Sequence, residues 1–206
     1  MAAASRRPSP TAAGLMVAPA PPRPGSIVDV TAFGAGSGAA DDTAAIMRAL
    51  GTLPKAGGVV FFPAGTYRVR GTIAITQSGV TLTGCNRVAS VLLAQPASTS
   101  DAAVILVGTG HGPDSVFGTR IANLGFATAP KANGRTAVEV LGYSAETTVE
   151  NCRIDNFGRG VYIHGDWTQN PIADTIVNTV EHVAIAVRAP KLGPPSLAGV
   201  TRLPSS

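Results

Sequence analysis

The segment Val161-Tyr162-Ile163-His164-Gly165 alternates apolar and polar residues, and two other segments repeat its pattern. These are Val138-Glu139-Val140-Leu141-Gly142 and Val183-Ala184-Ile185-Ala186-Val187, which lie at nearly even intervals before and after it. Such alternation is typical of a β-strand, whose successive side chains point to opposite sides. We therefore expect Val161 and Ile163 to face a core, and Tyr162 and His164 to face outward.

A second series of segments lies between the members of the first. Its members are Ile121-Ala122-Asn123-Leu124-Gly125-Phe126, Val149-Glu150-Asn151-Cys152-Arg153-Ile154 and Ile176-Val177-Asn178-Thr179, again at nearly even intervals. A repeat of roughly 25 residues, with several strands and no helix, is too short for a propeller blade and fits one coil of a parallel β-helix. Equivalent strands of successive coils then stack into parallel sheets. The sequence therefore predicts an all-β solenoid.

One short helix is predicted ahead of the repeats, over residues 43–50. Its Ala-rich body places Ile46 and Leu50 four residues apart, two carboxylates precede it and a glycine follows. This N-terminal capping helix would cover the exposed end of the first coil. Asp41 and Asp42 could act as general acid and base, but we favour a capping role because helix N-termini attract negative charge.

Proline and basic residues concentrate at the two ends of the chain. Ten of the 16 prolines and six of the 16 lysines and arginines lie there, so the middle carries a net charge of −2 although the whole chain carries +4. We expect a flexible leader over residues 1–26, a β-helix domain over 27–188 and an unstructured tail over 189–206. A basic nucleic-acid-binding face is not supported, and no apolar run is long enough to predict membrane insertion.

Three segments stand in a fixed order at the start of the domain: Val30-Thr31-Ala32-Phe33-Gly34-Ala35, Asp41-Asp42-Thr43-Ala44-Ala45-Ile46 and Gly57-Gly58-Val59-Val60-Phe61-Phe62-Pro63-Ala64-Gly65-Thr66-Tyr67. Their order and spacing resemble the N-terminal signature of the pectate-lyase-like superfamily, which includes polygalacturonase-related proteins and phage tailspikes. The resemblance covers residues 27–188 and implies a right-handed parallel β-helix that acts on or binds an acidic polysaccharide. Because members are usually longer, it also implies that this domain is truncated or that another chain covers its C-terminal end.

The strand near residue 160 departs from the polygalacturonase pattern. Those hydrolases carry an Asn-Thr-Asp-Gly element, an Asp-Asp pair and a later Gly-His-Gly element, because inverting hydrolysis needs two separated carboxyl groups. The matching segment here is Asn156-Phe157-Gly158-Arg159-Gly160-Val161, where Arg159 stands in place of a carboxylate. Gly110-His111-Gly112 spells the later element but precedes that strand, so we interpret it as a loop.

A lyase would need a base that removes the proton beside a uronate carboxylate, and cations that stabilise the resulting charge. Catalytic candidates expected to project outward from strands or turns are Arg153, Asp155, Arg159 and His164. The alternative, which we favour for most of them, is structural: Arg153 and Asp155 form a solvated ladder across coils, and His164 belongs to a turn with Asp166.

Other residues of the same region are candidates for binding. Tyr162 and Trp167 could stack on sugar rings, with Asp166 as a third contact. If the protein is a lyase, Ca²⁺, which prefers oxygen ligands, could bind Asp155, Asp166 and Asp174. No Cys/His spacing predicts a zinc site.

Three functional hypotheses follow from the resemblance. The first is a polysaccharide-active protein, lyase or glycoside hydrolase, that acts on a uronic-acid glycan as a monomer. The second is a non-catalytic glycan-binding or structural module, such as part of a phage tailspike, which would form a homotrimer. The third is an inactive truncated fragment. The family favours a secreted or virion-associated protein, although Arg6 and Arg7 before a short apolar stretch make only a weak signal peptide.

The two cysteines are predicted to be free thiols. Cys85 and Cys152 should lie at least two coils apart, and stacked strands rise about 4.8 Å per coil. A disulfide needs Cα atoms within about 7 Å. Cysteine usage therefore does not indicate a compartment.

Overall fold

The computed structural model describes residues 26–99, 102–109, 115–142, 144–164, 176–178 and 185–188, with backbone alone for His164 and the last two ranges. The predicted leader apart from Ser26, the predicted tail and the Gly110-His111-Gly112 segment lie outside these residues. So do three candidate site residues: Asp166, Trp167 and Asp174.

Most of the described strands stack into three parallel sheets. Sheet A contains, in spatial order, β1 (Ile27–Asp29), β2 (Gly58–Phe62), β5 (Val80–Gly84), β9 (Arg120–Ala122), β13 (Thr148–Glu150) and β16 (Ile176–Asn178). Sheet B contains β3 (Gly65–Val69), β6 (Ser90–Ala94), β10 (Gly125–Thr128) and β14 (Arg153–Ile154). Sheet C contains β4 (Ile73–Ile75), β7 (Ala103–Val107), β11 (Thr136–Leu141), β15 (Arg159–His164) and β17 (Ile185–Arg188).

Each coil runs through sheets A, B and C in turn, so the fold is the predicted right-handed parallel β-helix. In sheet A, Gly58 pairs with Val80 of the next coil, and Arg120 pairs with Thr148 of the coil after its own. Two short strands, β8 (Val116–Phe117) and β12 (Ser144–Ala145), form a small parallel sheet where two coils return from sheet C to sheet A.

The core is built from ladders of apolar side chains that repeat from coil to coil. In sheet A, Val60, Leu82, Ile121 and Val149 occupy paired positions, and all are completely buried. Full burial of one such side chain contributes roughly 1.5–3 kcal/mol. On sheet C, Val161 and Ile163 are buried as predicted. Tyr162 between them is half-buried.

A 3₁₀-helix (Val30–Phe33) and the helix α1 (Thr43–Gly51) precede the full coils. Helix α1 buries Ile46 and Leu50 and contacts β1 and β4, as expected for a cap on the first coil. With nine residues, this helix is much too short to cross a membrane, and no other described helix is longer.

The two carboxylates before α1 differ in what they bind. Asp41 caps the helix as predicted, since its Oδ1 accepts a hydrogen bond from the Thr43 amide at 3.0 Å. The prediction is wrong for the Asp42 side chain, which makes no cap bond. That buried carboxylate accepts hydrogen bonds from the amides of Gly36 and Arg68, at 3.0 and 2.8 Å, and so joins the loop before α1 to β3.

The third member of each repeat series pairs in a register other than the one that the similarity of the repeated segments suggests. In sheet A, Val149 pairs with Val177, one residue beyond Ile176. In sheet C, Val161 pairs with Ile185, two residues beyond Val183. A shift of two residues keeps every side chain on the same face. The alternating segment from Val183 to Val187 therefore fits either register, and its pattern cannot distinguish them.

Arg135 lies inside the corner between sheets B and C and is 1% exposed. Its guanidinium donates to five backbone carbonyls, at 2.6–3.0 Å, from two earlier coils: Val69, Gly71, Gln95, Ala102 and Ala103. Burial lowers the pKa of Arg135, and the charge of Asp41 opposes that effect. The side chain thus ties three coils together at this corner.

Both cysteines are free, as predicted. Cys85 is exposed, whereas Cys152 is buried in the corner between sheets A and B, with its Sγ 3.3 Å from the carbonyl oxygen of Glu150. Burial raises the pKa of the Cys152 thiol to about 11. Cys152 is therefore a neutral packing residue at ordinary pH.

Candidate functional site

Arg159 and Tyr162 form a cation–π pair on β15. The guanidinium carbon of Arg159 lies 4.8 Å from the centroid of the Tyr162 ring, and both side chains are half-buried. Such contacts are worth about 0.5–1 kcal/mol at exposed sites. The pair presents a planar cation and an aromatic ring on one surface of sheet C.

The Arg159 guanidinium reaches the outward-facing ring of Tyr162, although the alternation of its strand places Arg159 in the inward register. Arg159 pairs with Thr136, which is fully buried, and so shares the inward register of Val161 and Ile163. Because Arg159 is the first residue of β15, next to the corner with sheet B, its side chain can leave the core side and reach the outward-facing ring of Tyr162.

A groove of about 670 Å³ opens on the outside of the corner between sheets B and C, ending one residue before Arg159. Loops of two successive coils form it, one after β10 and one after β14. The lining residues are Thr128, Ala129, Pro130, Lys131, Asn133, Asn156, Phe157 and Gly158.

Unusual backbone conformations shape this groove, which we call the corner groove. Lys131 and Asn156 have φ of +67° and +63°, in the left-handed region that side chains rarely adopt. Gly158 lets the two loops approach each other, since a Cβ there would lie 2.9 Å from the carbonyl oxygen of Gly134. The groove therefore depends on close stacking of the two coils.

Arg153 and Asp155 form an ion pair of 2.7 Å at the end of β14, with both side chains partly exposed. The structural interpretation that we favoured agrees with this in part: the two residues are paired and solvated, but within one coil rather than across coils. They border a small pocket of about 160 Å³ on sheet B, lined by Arg87, Val88, Val91, Gly125, Phe126, Ala127, Arg153 and Asp155.

The surroundings of Asp155 do not suit Ca²⁺. Its carboxylate already accepts from the Arg153 guanidinium, and Arg87 lines the same pocket. A metal ion would have to compete with the Arg153 guanidinium for this carboxylate, and the nearby positive charge of Arg87 would repel it. Across the described part of the chain, no cluster of three or more His, Cys, Asp or Glu side chains could hold a metal ion. No calcium-assisted step follows from these residues.

The structure places the predicted catalytic residues on two surfaces. Arg153 and Asp155 lie on sheet B, and Arg159 lies on sheet C, across the corner. His164 pairs with Leu141 at the end of β15, and its side chain is outside the described atoms. The catalytic role of each of these four residues stays a prediction.

Most described carboxylates are already engaged within the protein. Glu150 forms an ion pair with Arg120, and Asp42 and Asp155 are bonded as described above. Burial by itself would raise the pKa of Asp41, but hydrogen bonds from Thr43 and from the Arg70 amide lower it below its ordinary value. These groups are suited to holding the fold together.

The sequence did not indicate the corner groove or its polar residues. Lys131 and Asn133 belong to a turn between two strands, and the Asn133-Gly134 dipeptide predicts such a turn without pointing to a ligand. Phe157 stood only in the comparison with the hydrolase motif. These residues meet because two coils stack, and one segment alone carries no sign of that.

Comparison with known proteins agrees with this architecture. A family model described as Rhamnogalacturonase A/epimerase, pectate lyase-like, matches residues 27–186. The solved ORF18 protein of Geobacillus virus E2 is similar in fold, with a TM-score of 0.50 and 21% identity over 73% of this chain and 35% of the viral chain. No curated protein gives a match.

Two further solved structures are less similar. A protein from Parabacteroides merdae with a provisional description as a glycosyl hydrolase has a TM-score of 0.48 and 15% identity over 79% of this chain and 80% of its own. The catalytic unit of a GH87 α-1,3-glucanase from Streptomyces thermodiastaticus has a TM-score of 0.39 and 20% identity. The match covers 80% of this chain and 38% of the glucanase unit. This chain therefore spans little more than a third of the viral protein and of the glucanase unit.

Proposed function

This chain belongs to the Rhamnogalacturonase A/epimerase, pectate lyase-like family, and we propose that it acts on an acidic polysaccharide of the uronic-acid type. The observation that carries the proposal is the Arg159 guanidinium stacked on Tyr162 beside the corner groove. A guanidinium pairs with a carboxylate through charge-assisted hydrogen bonds, and an aromatic ring offers an apolar face to a sugar. Together they match a sugar that carries a carboxylate.

The reaction that we propose is cleavage of the glycan, by elimination or by hydrolysis. In an elimination, a base would remove the proton beside the uronate carboxylate, the electron pair left behind would form a carbon–carbon double bond, and the glycosidic oxygen would leave and take up a proton. Arg159 would stabilise the negative charge that develops on the carboxylate during this step. In a hydrolysis, two carboxyl groups must flank the bond. Among the candidate site residues, Asp155 is the carboxylate closest in sequence to Arg159. Because it is already paired with Arg153, it is less available as a hydrolytic acid or base, and this favours the elimination.

A second candidate function is glycan binding without catalysis. The specific observation in its favour is the engagement of the described carboxylates, including Asp42, Glu150 and Asp155, within the fold. A binding module would need the cation and the ring of β15 but no free acid or base. As part of a tailspike-like assembly it would form a homotrimer, whereas the enzyme would be a monomer.

Turnover on a panel of acidic polysaccharides tests the first proposal. New reducing ends and the ultraviolet absorbance of unsaturated uronates are followed in the same samples. We expect reducing ends with absorbance for a lyase, and reducing ends without absorbance for a hydrolase. Binding without either product, from a sample that is trimeric by light scattering, would instead support the binding module.

The role of Arg159 is tested by Arg159→Ala, with Arg70→Ala as the matched control. Arg70 is also an arginine, but its side chain is exposed rather than half-buried, and it lies on the first full coil, far along the solenoid from β15. We expect Arg159→Ala to abolish turnover or binding with an unchanged circular dichroism spectrum, while Arg70→Ala retains both. Unaltered turnover and binding in Arg159→Ala would exclude this surface.

A further inference from the structure

We propose that the corner groove is a subsite for a single carboxylate-bearing sugar unit, with the ammonium group of Lys131 as the carboxylate contact. The proposal rests on the function proposed above and adds a second contact point for the same glycan. It concerns residues to which neither the sequence nor the family resemblance assigns a role.

The polar groups of the groove are available to a ligand. Among the residues that the structure describes, no hydrogen bond or ion pair involves the side chains of Lys131, Asn133 or Asn156, and all three are exposed. An ammonium donates to a carboxylate, and an amide both donates to and accepts from a hydroxyl. One cation and two amides around one groove match the groups of one uronate ring.

The floor of the groove offers an apolar surface. Phe157 is half-buried, packs against the core and still lines the groove. Its attachment to the core holds the ring in place before any ligand arrives, which reduces the entropy lost on binding. Sugar rings have an apolar face of C–H groups, so a fixed aromatic ring complements the amides and the ammonium.

Lys131 stands where the backbone would favour glycine. Its φ of +67° lies in the left-handed region, which is unfavourable for most residues with a Cβ. Strained conformations of this kind concentrate at functional sites, and an observed outlier justifies a functional hypothesis. A substitution to glycine should therefore relieve the backbone while it removes the ammonium, which separates a structural role for Lys131 from a binding role.

The groove lies next to the site proposed above. Gly158 lines the groove, and Arg159 is the next residue along the chain. Consecutive sugars of one glycan could then contact Lys131 on the corner and Arg159 on sheet C. Two cations along one path suit a chain with repeated carboxylates.

Calorimetric titration tests the subsite. The probes are three tetrasaccharides, built from galacturonate, glucuronate or mannuronate, and the fully methyl-esterified form of whichever binds most tightly. We expect Lys131→Gly to lower the affinity for the acidic probe about tenfold or more. The affinity for the ester, which is weaker in the native protein, should not change, and Tm should rise. Lys55→Ala, which removes an exposed lysine from the loop after α1, should leave the affinity unchanged.

A second variant addresses the floor of the groove. Phe157→Leu keeps an apolar side chain against the core but removes the flat ring. We expect it to lower the affinities for the acidic probe and for its ester alike, by about three- to tenfold. Equal affinity in this variant and the native protein would exclude stacking on Phe157.

The outcomes separate the two proposals. If Lys131→Gly binds the acidic probe as tightly as the native protein while Arg159→Ala does not, the subsite is wrong and the proposed function stands. If the ester binds as tightly as the acid, carboxylate recognition by Lys131 is wrong. If the native protein neither binds nor cleaves any of the three probes, both proposals are overturned.

Discussion

The two sides of the corner between sheets B and C treat their polar groups in opposite ways. On the inner side, Arg135 is buried, and its guanidinium meets five backbone carbonyls. On the outer side, four residues earlier, Lys131 is exposed, and its ammonium has no partner among the described residues. The two cations are thus close in sequence and differ completely in surroundings.

The difference has a simple physical origin. A buried polar group without a partner costs about 1–3 kcal/mol, so each donor on the inner side must be satisfied within the fold. On the outer side, water satisfies the same kind of group at little cost. Buried cations such as Arg135 therefore stabilise the fold, and exposed cations such as Lys131 remain available to a ligand.

The most severe test of this contrast is Arg135→Met, which keeps the apolar part of the side chain and removes the guanidinium. Five carbonyls would lose the guanidinium as a donor, although the Val69 carbonyl keeps the Gln95 amide and the Ala103 carbonyl keeps the Thr72 hydroxyl. We expect the free energy of unfolding to fall by about 3–5 kcal/mol, measured by urea denaturation. Arg70→Met, the same change at an exposed side chain, should alter it by less than about 0.5 kcal/mol. Equal stability of the two variants would break the comparison.

Alkaline pH tests the same rule at Cys152, on the corner between sheets A and B. Its pKa rises from an ordinary value of 9.0 to about 11 in the folded protein. Above pH 9 the unfolded chain loses this proton while the folded protein keeps it, so stability falls as pH rises from 9 to 11. The loss approaches roughly 2–3 kcal/mol. Urea midpoints in Cys152→Ala should fall less over this range, and a parallel fall would contradict the assignment.

Gly158→Ala tests the close packing of the two coils at the corner between sheets B and C. The added Cβ would lie 2.9 Å from the carbonyl oxygen of Gly134, and backbone of the neighbouring coil must shift to admit it. We expect a loss of about 1–2 kcal/mol in the free energy of unfolding. Gly51→Ala is the control, since a Cβ at the end of α1 meets nothing within 4 Å. Loss in both variants would point to a general effect of the substitution.

The smallest effect is expected at the exposed ion pair between Arg120 and Glu150 on sheet A. Both side chains are partly exposed, and such pairs contribute only about 0–1 kcal/mol because water screens them. Arg120→Ala should therefore change the urea midpoint slightly, and less at high salt than at low salt. If Arg120→Ala lowered the free energy of unfolding as much as Arg135→Met, the exposure of a side chain would not determine how much it contributes to stability.

Much of the fold follows from local pattern. The alternation in β15 predicted that Val161 and Ile163 are buried, and the segment after Asp42 predicted α1. The register of the last repeat in sheet C was not predictable, because an alternating strand fits equally well after a shift of two residues. Of the candidate site, the sequence indicated Arg159 and Tyr162, whose roles stay predictions, but it did not indicate their mutual stacking or the corner groove.

The sequence by itself determined that the chain winds into a parallel β-helix with a helical cap, because strand alternation and repeat length are properties of neighbouring residues. Only the tertiary structure decided which polar groups are satisfied. The carbonyl of Val69 lies two coils before Arg135, and Lys131 and Phe157 line one groove from two successive coils. Such partners depend on how successive coils stack, and the spacing of residues along one coil does not encode that.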